Sequence, residues 1–204
     1  MFQRGKGDYP TGGLHLRDGL SSTRVLAHVC CAPCAVFAFP RLQVLFKEVV
    51  GLWYNPNIHP LVEYNRRLDS VKDWSRQSGT RVLYEEKYEL KSFLRQIAFR
   101  EEQRCVVCYY MRFRKVAAFA RHGNFEYFTS TLLVSPHQNQ DLMRKIACEA
   151  GKEYGVRPYL AASREGWKES RNVSHTMGLY HQQYCGCIYS EEERFSSRRS
   201  VRDH

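Results

Sequence analysis

Short apolar runs alternate with amphipathic stretches along most of this chain, and this alternation restricts its fold more than any other feature. "RVLAHVC" (24–30), "VVGLWYN" (49–55), "TRVLYEE" (80–86), "FEYFTSTLL" (125–133) and "VRPYLAA" (156–162) are brief and rich in β-branched or aromatic residues, as buried strands are. Helical periodicity fills the gaps at 32–49, interrupted by Pro40, and at 60–79, with Pro60 in its first turn and Gly79 at its end. It returns at 90–100, 105–123 and 138–155. Strands that alternate with helices predict βαβ units: an α/β fold with a mostly parallel Rossmann-like sheet and helices on both faces. Beyond about residue 163 only helical patches remain, so the C-terminal part is predicted to be helical. The polar, Gly-containing residues 1–22 read as a flexible extension, 23–190 as a single α/β domain, and 191–204 as a charged tail.

In open parallel sheets, ligands bind beyond the C-terminal strand ends. The end of the first strand is where a nucleotide-binding enzyme carries its glycine-rich phosphate loop, and neither GxGxxG nor GxxxxGK[ST] is present. The slot holds "VCCAPC" instead, which argues against ATP activation.

The eight cysteines fall into three groups, Cys30/Cys31/Cys34, Cys105/Cys108 and Cys185/Cys187, with Cys148 alone. The N-terminus has no continuous apolar segment of the secretory kind, and no apolar run has the length of a membrane span. The expected location is therefore the cytoplasm, without membrane attachment, where structural disulfides are rare. Short spacings instead suit ligands that converge on one centre. Cys31 with Cys34 and Cys105 with Cys108 are CxxC pairs at predicted helix starts, where the positive helix end favours thiolate. Three thiols, Cys30, Cys185 and Cys187, remain for a second centre. Iron–sulfur, zinc and a metal-free dithiol all stay open on this chemistry. Cys148, inside a helical pattern, reads as a small core residue.

Thirty-one Lys and Arg against 21 Asp and Glu give a net charge of +10, which makes a polyanion such as RNA a plausible partner. "RCVVCYYMRFRK" interleaves basic and aromatic residues around the second thiol pair, Arg112 among them. "YNPNIHP" places Asn55, Asn57 and His59 in a proline-stiffened loop at the second strand end. "TSTLLVSPHQN" sets Thr129, Ser130, Thr131, Ser135, His137 and Gln138 around the fourth, where hydroxyls and an imidazole suit binding of a sugar or base.

Taken together, "HVCCAPC" (28–34), "YNPNIHP" (54–60), "EYNRR" (63–67), "RCVVCYYMR" (104–112), "FTSTLLVSPHQN" (128–139) and "GLYHQQYCGCIYS" (178–190) resemble the cobalamin-independent epoxyqueuosine reductase family, the QueH type. The resemblance implies an oxidoreductase of tRNA processing and queuosine biosynthesis. Such an enzyme removes the epoxide oxygen of epoxyqueuosine at the tRNA wobble position, using two electrons and two protons. It implies a layout similar to the adenine-nucleotide α-hydrolase-like (HUP) fold, so that 23–190 becomes a metal-binding catalytic domain. It implies a [4Fe-4S] cluster, assigned here to Cys31, Cys34, Cys105 and Cys108. A second, mononuclear iron is assigned to Cys30, Cys185 and Cys187, with Glu89 as a carboxylate ligand. On this reading Cys30 faces a different centre from Cys31 and Cys34. Cys30, Cys185, Cys187, His59 and His137 are the candidate catalytic residues, a thiol, Tyr or His supplying the protons. Asn55, Asn57, Thr129, Ser130, Thr131, Ser135, Gln138 and Arg112 are the candidate substrate contacts, with Lys168 or Arg171 on tRNA phosphate. The partners implied are the tRNA anticodon stem-loop and an external electron donor such as a ferredoxin or flavodoxin. Two rivals remain, an iron–sulfur tRNA thiolase and a non-enzymatic zinc-bound RNA module.

Overall fold

A computed structural model describes residues 20–161 and 166–199. Five strands, β1 (Arg24–Val29), β2 (Glu48–Trp53), β3 (Val82–Tyr84), β4 (Tyr127–Ser130) and β5 (Arg157–Pro158), form one sheet in the order β3-β2-β1-β4-β5. Every pairing is parallel. The helices are α1 (Ala32–Leu45), α2 (Leu61–Ser78), α3 (Leu90–Ile97), α4 (Arg104–His122), α5 (Gln140–Tyr154), α6 (Trp167–Thr176) and α7 (Ile188–Arg199).

The two-residue period of β1 divides the core. Val25, Ala27 and Val29 pack on one face with Tyr64, Leu68, Val71 and Trp74 of α2. Leu26 packs on the other with Phe113, Val116 and Ala117 of α4 and Met143 and Ile146 of α5. Helices therefore cover both faces, as a buried parallel sheet requires. β1 has β2 on one side and β4 on the other, so the strand order reverses there and opens a crevice above the β1 end.

Three strands are shorter than their patterns predict. β3 keeps only Val82–Tyr84 of the 80–86 run. β4 stops at Ser130, whose side chain accepts from the Leu132 amide at 3.2 Å and turns Thr131–Val134 into a 3₁₀ turn. β5 keeps only Arg157–Pro158; the Arg157 and Tyr159 amides donate to the Glu126 and Phe128 carbonyls, so the missing Pro158 amide between them costs this edge strand no bond to β4. Pro40 is accommodated inside α1. Much of the predicted tail is helical instead, in α7, while residues 200–204 lie outside the described residues. So do residues 1–19 of the N-terminal extension, and Leu20 is already buried in the core. No helix among the described residues is long and apolar enough to cross a membrane.

Candidate metal centre

The β1–α1 turn brings Cys30, Cys31 and Cys34 together. All are buried, and their sulfurs lie within 4.8 Å of one another, with 3.7 Å between those of Cys30 and Cys31. Cys31 is the N-cap of α1 and Cys34 lies in its first turn, so the positive helix end faces the group. The sulfurs act as one unit. Hydrogen bonds from Cys30 and Cys34 hold the Cys31 thiol well below the ordinary range. The hydrogen bond with Cys31 pushes Cys30 up to about 11, against an opposing one from Cys34, and the bonds with Cys30 and Cys31 raise Cys34 well above its usual value. Three soft sulfur donors this close together are a set that fits iron–sulfur or zinc once all three are deprotonated. Cys30 thus lies as near to Cys31 and Cys34 as one shared centre requires, beside the expectation that it faces a different one.

The remaining clustered thiols form a second patch around the start of α4. Burial raises Cys105 and pushes Cys108 up to about 12, and the charges of Cys185 and Cys187 act on both in the same direction. The buried guanidinium of Arg112, one helical turn beyond Cys108, lies in the field of Cys108, Cys185 and Cys30. Desolvation is the largest single influence on it, yet the thiols together outweigh that and keep it cationic. Its Nε donates to Asn57 Oδ1 at 2.9 Å.

The "YCGC" segment is held by "EYNRR" on α2. Arg67 pairs with Glu63 at 2.7 Å, both buried, and donates to the carbonyls of Cys185 at 2.8 Å and Tyr184 at 3.0 Å. Tyr180 Oη donates to the other Glu63 oxygen at 2.7 Å. Gly186 between the two cysteines has φ +146°, and a Cβ there would lie 3.1 Å from Asn57 Nδ2 and 3.2 Å from Ile58 Cγ1. Only glycine fits this motif comfortably.

A cleft of about 880 Å³ opens above the strand ends, its walls including Cys30, Cys31, Cys34, Cys185, Arg112 and Gln138. Ser135 and His137 also line it, with the His137 ring edge-on to Trp167 at 5.9 Å. Gln138 links Tyr109, whose hydroxyl it accepts at 2.8 Å, to Cys185 Sγ at 3.4 Å.

Other expected site residues are engaged elsewhere. Thr129 donates to the Tyr159 carbonyl at 2.6 Å, and Ser130 bonds His28 Nδ1 at 2.8 Å, so both serve the scaffold. Asn55 donates to the Val29 carbonyl at 2.9 Å and braces the thiol turn. His59 is fully buried between the Tyr88 and Phe93 rings, and neither ring nitrogen has a hydrogen-bond partner. Glu89 accepts from Tyr54 Oη at 2.9 Å and lies 3.7 Å from Lys87 Nζ; it is not part of the thiol group. Three cleft residues, Gln182, Glu193 and His181, escaped the sequence reading. Gln182 stands three positions before Cys185 in "YHQQYCGC", a usable signal, whereas Glu193 lay within what looked like a charged tail.

A parallel α/β sheet that carries three converged, buried thiols where a phosphate loop would stand defines an α/β protein with a candidate thiol metal site. The U34-tRNA thiolase NcsA from Methanococcus maripaludis, solved with its [4Fe-4S] cluster, shares this fold: TM-score 0.55, 13% identity, covering 92% of this chain and 68% of that one. Residues 25–193 match the family model described as Epoxyqueuosine reductase QueH. The chain is 37% identical over 177 residues to the epoxyqueuosine reductase QueH of Dehalococcoides mccartyi, covering 87% of this chain and 97% of that protein. It is 32% identical over 181 residues to that of Thermotoga maritima, covering 83% and 91%. For that of Streptococcus pyogenes serotype M1 the identity is 32% over 179 residues, covering 81% and 69%. The chain belongs to the epoxyqueuosine reductase QueH family.

Proposed function

We propose that the thiol-lined cleft is the active site of an epoxyqueuosine reductase acting on the anticodon loop of tRNA. The observation that carries this reading is the convergence of Cys30, Cys31 and Cys34 on a cleft at the strand ends, in a chain that matches the family over residues 25–193. In the reaction, both C–O bonds of the epoxide break and a carbon–carbon double bond forms. Two electrons and two protons carry the oxygen away as water.

The thiols fit an iron–sulfur group. Cys30, Cys31 and Cys34 supply one converged set, and Cys105, Cys108, Cys185 and Cys187 supply further thiolates for a [4Fe-4S] cluster and a second iron. Such metals, when bound, supply electron transfer and Lewis acidity toward the epoxide oxygen. Arg112 offsets the negative charge that thiolates would build up in a buried place. His137, exposed on the cleft wall beside Trp167, holds a proton at an imidazole nitrogen for the departing oxygen. Splaying the modified base into a cleft of about 880 Å³ lets the protein exclude water from it. The net charge of +10 favours a tRNA partner. A ferredoxin or flavodoxin is the electron donor, and the reaction is cytoplasmic. The likeness to a tRNA thiolase is one of fold, and the thiols at the β1 end leave no phosphate loop for ATP activation.

The test is turnover. Anaerobically reconstituted protein is incubated with a reductant and epoxyqueuosine-containing tRNA, and the nucleosides are analysed by mass. Loss of one oxygen is the expected result. An unchanged mass, or a colourless protein with stoichiometric zinc, overturns the reading.

A further inference from the structure

Two sulfurs of the converged thiol group receive hydrogen bonds from side chains outside the cysteine set. Thr131 Oγ1 donates to Cys30 Sγ at 3.1 Å, and Gln182 Nε2 donates to Cys31 Sγ at 3.1 Å. The two donors come from different places in the chain. Thr131 opens the 3₁₀ turn after β4, while Gln182 lies on the loop between α6 and α7.

Each donor is aimed by a further feature. The Thr131 oxygen accepts from the Cys30 amide at 3.0 Å, which leaves its hydrogen free for the sulfur. A metal-bound thiolate has no proton to give, so an amide facing it must present N–H rather than C=O. Gln182 is arranged this way even though its Oε1 is left buried without a partner. The side chain satisfies the sulfur in preference to its own carbonyl.

We propose that Thr131 and Gln182 are positioning residues that set the reduction potential of the metal group held at Cys30, Cys31 and Cys34. The inference rests on the iron–sulfur reading above. Reduction places more negative charge on the ligand sulfurs. A donor to sulfur therefore stabilises the reduced form more than the oxidised form and raises the potential. The Thr131 bond is buried and the Gln182 bond partly buried on the cleft wall, and the low dielectric strengthens the first more than the second. A positive shift lets the group accept electrons from a milder donor.

The experiment is a mediated redox titration of the reconstituted full-length chain. Dithionite supplies the electrons, the visible absorption reports reduction, and no covalent bond changes. Thr131→Val and Gln182→Leu are each expected to shift the midpoint to more negative potential, and the double variant further still. Thr131→Ser keeps the hydroxyl and is expected to titrate like the wild type. Val and Leu variants that carry wild-type iron and sulfide yet titrate at the wild-type midpoint overturn the proposal. So does a Thr131→Ser variant shifted as far as Thr131→Val. If Gln182→Leu does not load, the Thr131 pair decides alone. A wild-type chain that binds no reducible chromophore overturns the iron–sulfur reading, and this inference falls with it.

Discussion

Arg67 Nη1 donates to the Cys185 carbonyl at 2.8 Å, joining α2 to the thiol loop across 118 residues of sequence. The same guanidinium pairs with buried Glu63, so one side chain holds the loop and neutralises a charge. Arg67→Met strands the Glu63 carboxylate in the interior, at a cost of about 3–5 kcal/mol. Thermal melting is expected to show a Tm lower by roughly 10 °C. The double variant Glu63→Leu/Arg67→Met removes the stranded charge and recovers part of that loss. A single variant that melts with the wild type would show the clamp to be dispensable.

The convergence of Cys30, Cys31 and Cys34 predicts that each matters to the same bound metal. Serine at any one of the three is expected to lower iron content after anaerobic reconstitution, with Cys30→Ser as damaging as Cys31→Ser. Cys148→Ser, in the middle of α5, is the control and retains full loading. Iron and sulfide analysis reads the result. Full iron in Cys30→Ser beside a large loss in Cys31→Ser would assign Cys30 to a centre different from that of its neighbours.

Gly186→Ala tests the backbone of the "CGC" motif. At φ +146° a side chain is strained, and its Cβ would press on Asn57 and Ile58. The expected cost is about 1–3 kcal/mol, measured by urea unfolding. Iron loading should fall with it, because Gly186 also accepts the His59 amide at 2.7 Å and anchors the loop. A substitution without effect on either measurement would mean that the loop relaxes freely.

His59 predicts a pH dependence. Burial lowers its pKa from 6.5 to about 4, opposed only by the Pro56 backbone. The unfolded chain therefore binds a proton between about pH 6.5 and pH 4 that the folded chain does not. Stability is complete above pH 6.5 and declines as the pH falls through that window. His59→Phe places an apolar ring between Tyr88 and Phe93 and is expected to flatten the decline by about 1.4 kcal/mol per pH unit. Buried His28, with a pKa also lowered to about 4, keeps its own share in the variant. Urea unfolding from pH 4.5 to 7.5 reads the slope, and identical slopes would place His59 outside the titration.

Much of the scaffold was legible because it depends on local order. The apolar runs around Val25, Val50, Leu83 and Phe128 became adjacent parallel strands, and the helix starts at Cys31 and Arg104 fell beside the CxxC pairs as their spacing predicts. The ends of elements were less legible. β4 stops where the Ser130 side chain takes the Leu132 amide, a choice that Thr and Ser in a strand-like run do not announce.

The sequence by itself determined a parallel α/β sheet with thiols at the first strand end in place of a phosphate loop. Hydrophobic periodicity and cysteine spacing are local properties, readable without coordinates. The tertiary structure alone decided what each polar residue does. It turned Thr129, Ser130 and His59 inward to the scaffold and engaged Glu89 with Tyr54. It also gathered Cys30 with Cys31 and Cys34, and brought Gln182 to Cys31 across 151 residues. Those roles depend on which partner lies within about 3 Å of each polar atom. That is settled by packing between elements far apart in the chain, and residue type leaves it open.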